Sequence, residues 1–306
     1  MRKSGKNKIR LSIGSAIALG LSNGKVDKRV EIKTLYFMLD HVCVGHCSFC
    51  SKAKGTLSHV TWPEFDLEEA LEAVSRYGRK ERICIQCPIY PKMVDDLEKL
   101  LRNLSGLSVP LSISIPPLSS KKLKRLAPLV DRIGIALDCA DEKLFADIKG
   151  YSLNKTVESI RAAVDIKGEV TSHLIIGLGE NDFSLYNAML QLLGAGAYPA
   201  LFAFTPLKET KFSDRARPTI GRYRAIQSLH FLLTNEIDPK PEFRNGKLIS
   251  LDLNGIKRRA FMTSGCPSCN RPFYNERPLG PIYNYPREPN DGEFEQCLQE
   301  ALGYLR

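Results

Sequence analysis

The sequence predicts an α/β fold: a parallel sheet flanked by outer helices, closed fully or partly into a barrel, with an irregular Cys/Pro-rich cap at the C-terminus. Three observations carry this. From residue 31 onward, short strand-like runs alternate with helix-period stretches. Most of the strand-like runs are short and apolar, as in strands buried on both faces of a parallel sheet. Residues 265–290 hold six prolines and keep neither period. The length, 306 residues, is enough for one barrel-sized domain with a large core.

Taken in order, residues 1–30 read as a basic extension packed on the main domain. Five of the first ten residues are Lys or Arg, and the apolar stretch 11–21 (LSIGSAIALGL) is broken by Ser12, Gly14 and Ser15. It is shorter than the ~20 apolar residues of a spanning helix, and no small-residue cleavage site follows it. An amphipathic helix or strand is expected there, in a cytoplasmic chain with no membrane partner. Strands are expected at 32–39, 82–86, 111–115, 133–137, 170–176, 200–204 and 247–251. Helices are expected at 66–77, which opens on acidic residues, at 91–104, with Pro91 at its start, and at 154–166, 183–193 and 219–235. The barrel is assigned to 31–255 and the cap to 256–306, where Phe273, Tyr274, Tyr283 and Tyr285 supply packing surface and 291–305 forms a closing helix.

Composition narrows the function classes. With 43% hydrophobic and 25% charged residues, the chain is not disordered. Lys and Arg number 44 against 34 Asp and Glu, a net charge of +10 that favours an acidic partner. No RNA-binding module or aromatic-studded basic motif accompanies the charge, so nucleic acid is not expected. Nine cysteines, an odd count at modest density, exclude a fully paired disulfide scaffold and point to intracellular metal or redox use.

The cysteines are patterned. Cys43-Val-Gly-His-Cys47-Ser-Phe-Cys50 places three thiols in eight residues just after the first strand, at a barrel mouth. Such a triad can bind three irons of a cubane and leave the fourth open for chemistry. It also suits three of the four ligands of a structural zinc. Cys84-Ile-Gln-Cys87 and Cys266-Pro-Ser-Cys269 are two C-x2-C pairs, together a four-thiolate set for iron–sulfur or structural zinc. With Cys84 and Cys87 ending the second strand, the cap is expected to reach over the mouth to join them. Cys139 is expected to line the cavity and Cys297 to be a small buried hydrophobe. His41, His46, His59 and His230 show no ligand spacing.

The triad spacing, Phe49 before its last cysteine and the β/α context resemble the radical S-adenosylmethionine (SAM) superfamily. His173-Leu-Ile175-Ile-Gly177-Leu-Gly-Glu180 resembles that family's G-x-I-x-G-x-x-E pattern, with His173 where glycine is usual. The resemblance implies a radical SAM (β/α) barrel. It implies a [4Fe–4S] cluster on Cys43, Cys47 and Cys50 that chelates S-adenosyl-L-methionine, and Phe49, Ile175, Gly177 and Glu180 as cofactor-binding residues. Arg82-Ile-Cys84, the segment 137–145 and 170–180 resemble the biotin and lipoyl synthase branch, over roughly residues 33–215. Biotin synthase holds its sulfur-donating cluster on three strand cysteines and an arginine; only Cys84 matches, with Ser112 and Thr171 at the other two strand positions. The tail TSGCPSCNRPFYNERPLGPIYNYP and the opening IRLSIGSAIALGL resemble the bipartite lipoyl synthases. That resemblance implies sulfur insertion at C6 or C8 of an octanoyl chain, with a second, auxiliary iron–sulfur cluster as sulfur donor on Cys84, Cys87, Cys266 and Cys269. The partners it implies are an acidic octanoyl or lipoyl carrier protein, a companion radical SAM subunit, and an electron donor such as ferredoxin or flavodoxin. Lys208, Lys211, Arg215, Arg217, Arg222 and Arg224 are the expected carrier-docking residues. A biotin-synthase-like enzyme, or another radical SAM enzyme with a structural second metal site, is the alternative.

Overall fold

A computed structural model describes residues 8–24, 30–51, 56–57, 60–78, 80–272 and 280–306. The chain opens with β1 (Lys8–Leu11) and α1 (Ile13–Ala18), followed by β2 (Thr34–Leu39), β3 (Thr56–Leu57), β4 (Val60–Thr61) and β5 (Glu64–Asp66). Regular alternation then sets in: α2 (Leu67–Arg76), β6 (Arg82–Gln86), α3 (Met93–Leu104), β7 (Leu111–Ile115), α4 (Ser120–Leu126), β8 (Arg132–Ile135), α5 (Glu142–Lys149), α6 (Leu153–Lys167), β9 (Val170–Ile176), α7 (Asp182–Gly194), β10 (Ala197–Ala203) and α8 (Ile220–Thr234). A hairpin, β11 (Glu242–Arg244) and β12 (Lys247–Ser250), and a last helix, α9 (Asp291–Leu305), complete it.

The main sheet runs β10-β9-β8-β7-β6-β2-β1-β5. Its members β2, β6, β7, β8, β9 and β10 are parallel, each paired to the next. The edges β10 and β5 do not pair with each other, so the barrel is partial. Residues 8–11 of the basic extension join the sheet as β1, antiparallel to both β2 and β5. Outward-facing Ile83, Ile85, Ile113, Ile133 and Ile135 pack against the helices in the main core. Helix starts follow from local chemistry: Asp66 caps α2, Asp141 caps α5, and α9 has a capping box of Asn290 and Glu293. Among the described residues no helix is long and apolar enough to cross a membrane.

Two expectations are corrected. The strand at 247–251 does not extend the barrel; β12 pairs antiparallel with β11 outside it. The Asn245-Gly246 turn, with both φ positive, selects a hairpin there. The tail does not cover the barrel mouth either. Residues 264–271 cross the open side between β10 and β2 and plug the floor, where the parallel strands begin. The Thr34 hydroxyl donates to Ser268 O (2.8 Å), Arg82 Nε to Pro267 O (3.1 Å) and Asn270 Nδ2 to Glu31 O (2.6 Å). On the other side, the unpaired edge N–H of Leu201 donates to Ser264 Oγ (2.8 Å). Phe273 and Tyr274 lie outside the described residues, whereas Tyr283 and Tyr285 are buried against α8.

Candidate functional site

Because many inward positions on the strands are small or polar, among them Ser114, Ala136, Thr171 and Ala200, the barrel interior is hollow rather than packed. A cavity of about 330 Å³ runs through it and is lined by Cys43, Cys47 and Cys50 at one end and Cys84, Cys266 and Cys269 at the other.

At the mouth, the loop after β2 is pinned by backbone bonds: the Val44 N–H donates to Ile89 O (2.8 Å) and the Ser48 N–H to Ile148 O (2.7 Å). The Gly45 and Ile89 N–H groups donate to Cys43 Sγ at 3.4 and 3.3 Å. Burial pushes the Cys47 thiol up, while nearby Lys149 pulls it down. Burial and then the neighbouring Cys47 and Cys43 push the Cys50 thiol up to about 12. Such thiols ionise only when a strong cation sits among them.

Beside the triad stands a group with no forewarning in the sequence. Lys149, at the end of α5, has a side chain only 3% exposed, forms an ion pair with Asp138, and lies 5.7 Å from the Phe49 ring centroid and 5.2 Å from that of Tyr151. Asp138, at φ 61°, wedges between β8 and β9: its N–H donates to His173 O (2.6 Å) and its carbonyl accepts from Ile175 N (2.8 Å). The pair presents one cation and one carboxylate to the cavity.

Of the four expected cofactor-binding residues, Phe49 and Ile175 line the cavity, whereas Gly177 and Glu180 lie behind it. Gly177 has φ 109°, and a Cβ there would lie 3.0 Å from Pro218 Cδ and 3.1 Å from Phe204 Cβ, so only glycine fits this turn. The Glu180 carboxylate accepts from Gly177 N (2.8 Å), Leu178 N (2.7 Å) and Arg222 Nη2 (3.0 Å) and is fully enclosed. Burial pushes it up, and Arg222 and the backbone N–H groups pull it back. Glu180 therefore holds the turn rather than facing a ligand.

At the floor, Cys266 Sγ lies 3.8 Å from Thr171 Oγ1 and Cys269 Sγ 3.5 Å from the Tyr36 hydroxyl, while Gln86 Nε2 donates to Cys84 Sγ (3.2 Å). Burial, then Cys266, Cys269 and Cys87, pushes the Cys84 thiol up, and Arg82 opposes them. Burial also raises Cys269, opposed first by Arg271. Arg271 is 8% exposed and stacks on Phe202 (3.5 Å), and its Nε is buried without a hydrogen-bond partner. Cys87 also lines the cavity, past the end of β6; it packs partly against the outer core and its Sγ donates to Ile85 O (3.8 Å). Among the described residues, no three His, Cys, Asp or Glu side chains gather as tightly as a single metal ion requires.

Between the two thiol groups lies His173, whose ring centroid is 4.8 Å from that of Phe202 and which burial pushes down to about 4. Cys139 is buried outside the cavity lining, with its Sγ donating to Asp141 O (3.4 Å), and Cys297 is buried with Phe261 and Tyr285. His230 is buried against Pro199 O (2.7 Å). His41 stacks on Tyr90 (4.0 Å), while His46 lines a second pocket behind the triad, beside Lys211, and His59 lies outside the described residues. Two of the expected docking cations are spent inside the fold: Arg222 on Glu180 and Asp182, Arg224 on Glu300 and Tyr283 O. Arg215 packs on Phe212 (3.7 Å) and donates to Leu178 O, and Lys208 and Lys211 are exposed.

No curated protein sequence matches the chain. Among solved structures, methylornithine synthase (PylB) superposes with a TM-score of 0.52 at 15% identity, over 62% of this chain and 59% of that one. SuiB from Streptococcus suis, bound to S-adenosylmethionine, superposes with a TM-score of 0.50 at 11% identity, over 68% of this chain and 48% of that one. The chain thus spans less than two thirds of either neighbour, and the likeness is one of fold. The family model for the radical SAM superfamily matches residues 40–192, half of the chain. That segment holds the cysteine loop and β6 to β9, and with it the chain belongs to the radical SAM superfamily, whose members are enzymes using S-adenosyl-L-methionine and a [4Fe–4S] cluster.

Proposed function

We propose that this radical SAM enzyme inserts sulfur, as one component of a bipartite lipoyl synthase acting at C6 or C8 of an octanoyl chain on a carrier protein. The observation that carries the reading is the floor group: three thiols, flanked by Arg82 and Arg271, at the opposite end of the cavity from the triad. The donors suit an anionic iron–sulfur centre. Soft thiolates select iron–sulfur chemistry, two guanidinium groups offset its charge, and the partnerless Arg271 Nε–H offers a donor for a sulfide. When bound, the first cluster with S-adenosyl-L-methionine supplies a hydrogen-abstracting radical, and the second cluster supplies sulfur.

The chain's own residues do the rest. Lys149 and Asp138 offer charge to the amino-acid end of the cofactor, and Phe49 and Ile175 offer apolar surface to its nucleoside. The partial barrel and the plugged floor exclude water around a reactive carbon. Ala136, Ala200, Phe202 and Phe204 give the cavity walls suited to an aliphatic chain. Exposed Lys208 and Lys211 follow β10 near the mouth and suit an acidic carrier. A companion subunit and a ferredoxin- or flavodoxin-type reductant in the cytoplasm complete the proposal. The staples that join Thr34, Arg82 and Glu31 to the tail favour one rival, a floor metal that only pins the strap.

Metal analysis after anaerobic reconstitution decides. About eight irons per chain supports two four-iron clusters, about four with one zinc supports the rival, and zinc alone sinks both. The Cys266→Ala/Cys269→Ala variant is expected to lose about four irons and still cleave S-adenosyl-L-methionine; unchanged iron would remove the tail cysteines from the centre.

A further inference from the structure

We propose that His173 is the fourth protein ligand of the floor centre, completing a set with Cys84, Cys266 and Cys269. This rests on the reading of the floor thiols as a cluster site.

The spacing of the two C-x2-C pairs points to Cys87, which lines the same cavity but lies past the end of β6, towards the mouth. Side chains alternate faces along a strand. Cys84 faces the interior beside Tyr36, while Ile83 and Ile85 face the helices. Cys87, one residue beyond β6, packs partly against that outer core and partly lines the cavity, about 10 Å along the strand direction from Cys84, towards the mouth.

His173 lines the cavity on the strand that meets the tail. On β9, Thr171 touches Cys266 (3.8 Å), and His173 is the next residue on the same face, about 6.6 Å further along. Its register neighbour on β10 is Ala200. Gly265 backs onto Ala200: a Cβ at Gly265 would lie 3.8 Å from Ala200 Cβ and 3.7 Å from Cys269 Sγ. Two of the smallest residues therefore keep the space between the imidazole and Cys269 clear. Phe202 joins the two sides, meeting His173 at 4.8 Å and the Arg271 guanidinium at 3.5 Å. The imidazole lines the cavity, and no described residue hydrogen-bonds either ring nitrogen. A neutral imidazole ligates through a nitrogen lone pair while the other nitrogen keeps its proton, so no proton or electron need move. Histidine replaces cysteine in this way in Rieske centres and raises their potential.

The test is pulsed EPR of the reduced, reconstituted full-length enzyme, grown with natural-abundance or 15N-labelled histidine. The expected result is a 14N coupling that changes to 15N on labelling. It is lost in His173→Ala and in His173→Cys, where a thiolate restores the full iron content. Cys87→Ala is expected to keep both the coupling and about eight irons. A wild-type enzyme with about eight irons and no histidine coupling, or a coupling that survives in His173→Ala, overturns the assignment alone. A wild-type enzyme with only about four irons overturns the second cluster and the assignment together.

Discussion

Lys149 is the residue whose local setting departs furthest from its type. In the last turn of a helix capped by Gly150, a lysine ordinarily points to solvent and complements the helix dipole. Here the end of α5 is drawn against the cysteine loop, because Ser48 takes Ile148 O through its N–H and Asp147 O through its hydroxyl (2.8 Å). The ammonium is thereby carried inside, onto Asp138. Nothing in a helix-period pattern announces that, since the cause is a loop about a hundred residues earlier. Removing one partner of a buried pair leaves the other charge without compensation, at a cost of about 3–5 kcal/mol. Lys149→Met is therefore expected to lower the denaturation midpoint of the metal-free protein sharply. Asp138→Asn/Lys149→Met should recover most of the loss. Equal loss in the single and double variants would mean that the pair contributes nothing specific.

Elements were legible in the sequence where short, mainly apolar runs are bounded by turn residues, and where a helical period persists for several turns. β6, β7 and β9 fall where their apolar runs lie, α9 matches its expected limits, and the expected helix at 91–104 begins at Met93, after Pro91 and Lys92 form a turn. The short α4 (SKKLKRL) and α5 have too few turns for a stripe to stand out. The C-x2-C spacing did put all four cysteines on one cavity, but Cys84 sits within β6 and Cys87 just past its end, so the two are staggered along the strand direction. One prediction belongs to the contact of α8 with β10. His230 is buried on α8 with its Nε2 at Pro199 O, and burial pushes it down to about 4. It stays neutral in the fold but protonates near 6.5 once unfolded. Its stabilisation is therefore complete above pH ~6.5 and is lost as pH falls towards 4. Between pH 7 and 5 the loss amounts to about 2 kcal/mol. Denaturation midpoints at the two pH values should show this in the wild type and much less of it in His230→Gln; an equal drop in both would remove His230 as the cause.

At the scale of the molecule, two thiol groups occupy opposite ends of one barrel axis, and which end the tail reaches was not legible. Local patterns describe neighbours in the chain, whereas the floor plug is made by pairs such as Thr34 with Ser268 and Arg82 with Pro267, more than 180 residues apart. The strap rests on few main-chain bonds of its own: the Cys269 N–H to Cys266 O (3.0 Å), and the Arg271 N–H to the Tyr36 hydroxyl (3.1 Å). A segment so lightly held opens locally well before the sheet does. Metal bound by Cys266 and Cys269 would add its binding energy to that closure. Hydrogen exchange compared between reconstituted and chelator-stripped protein should then show faster exchange confined to 264–271, the Leu201 amide and the cysteine loop at 40–51. Ile113 and Ile133, deep in β7 and β8, should not change. If stripping accelerates exchange at 40–51 and leaves 264–271 as slow as before, the strap is held by protein contacts alone and the floor thiols carry no metal. Exchange rising in both segments, each restored by reconstitution, is what two centres at the two ends of one cavity require.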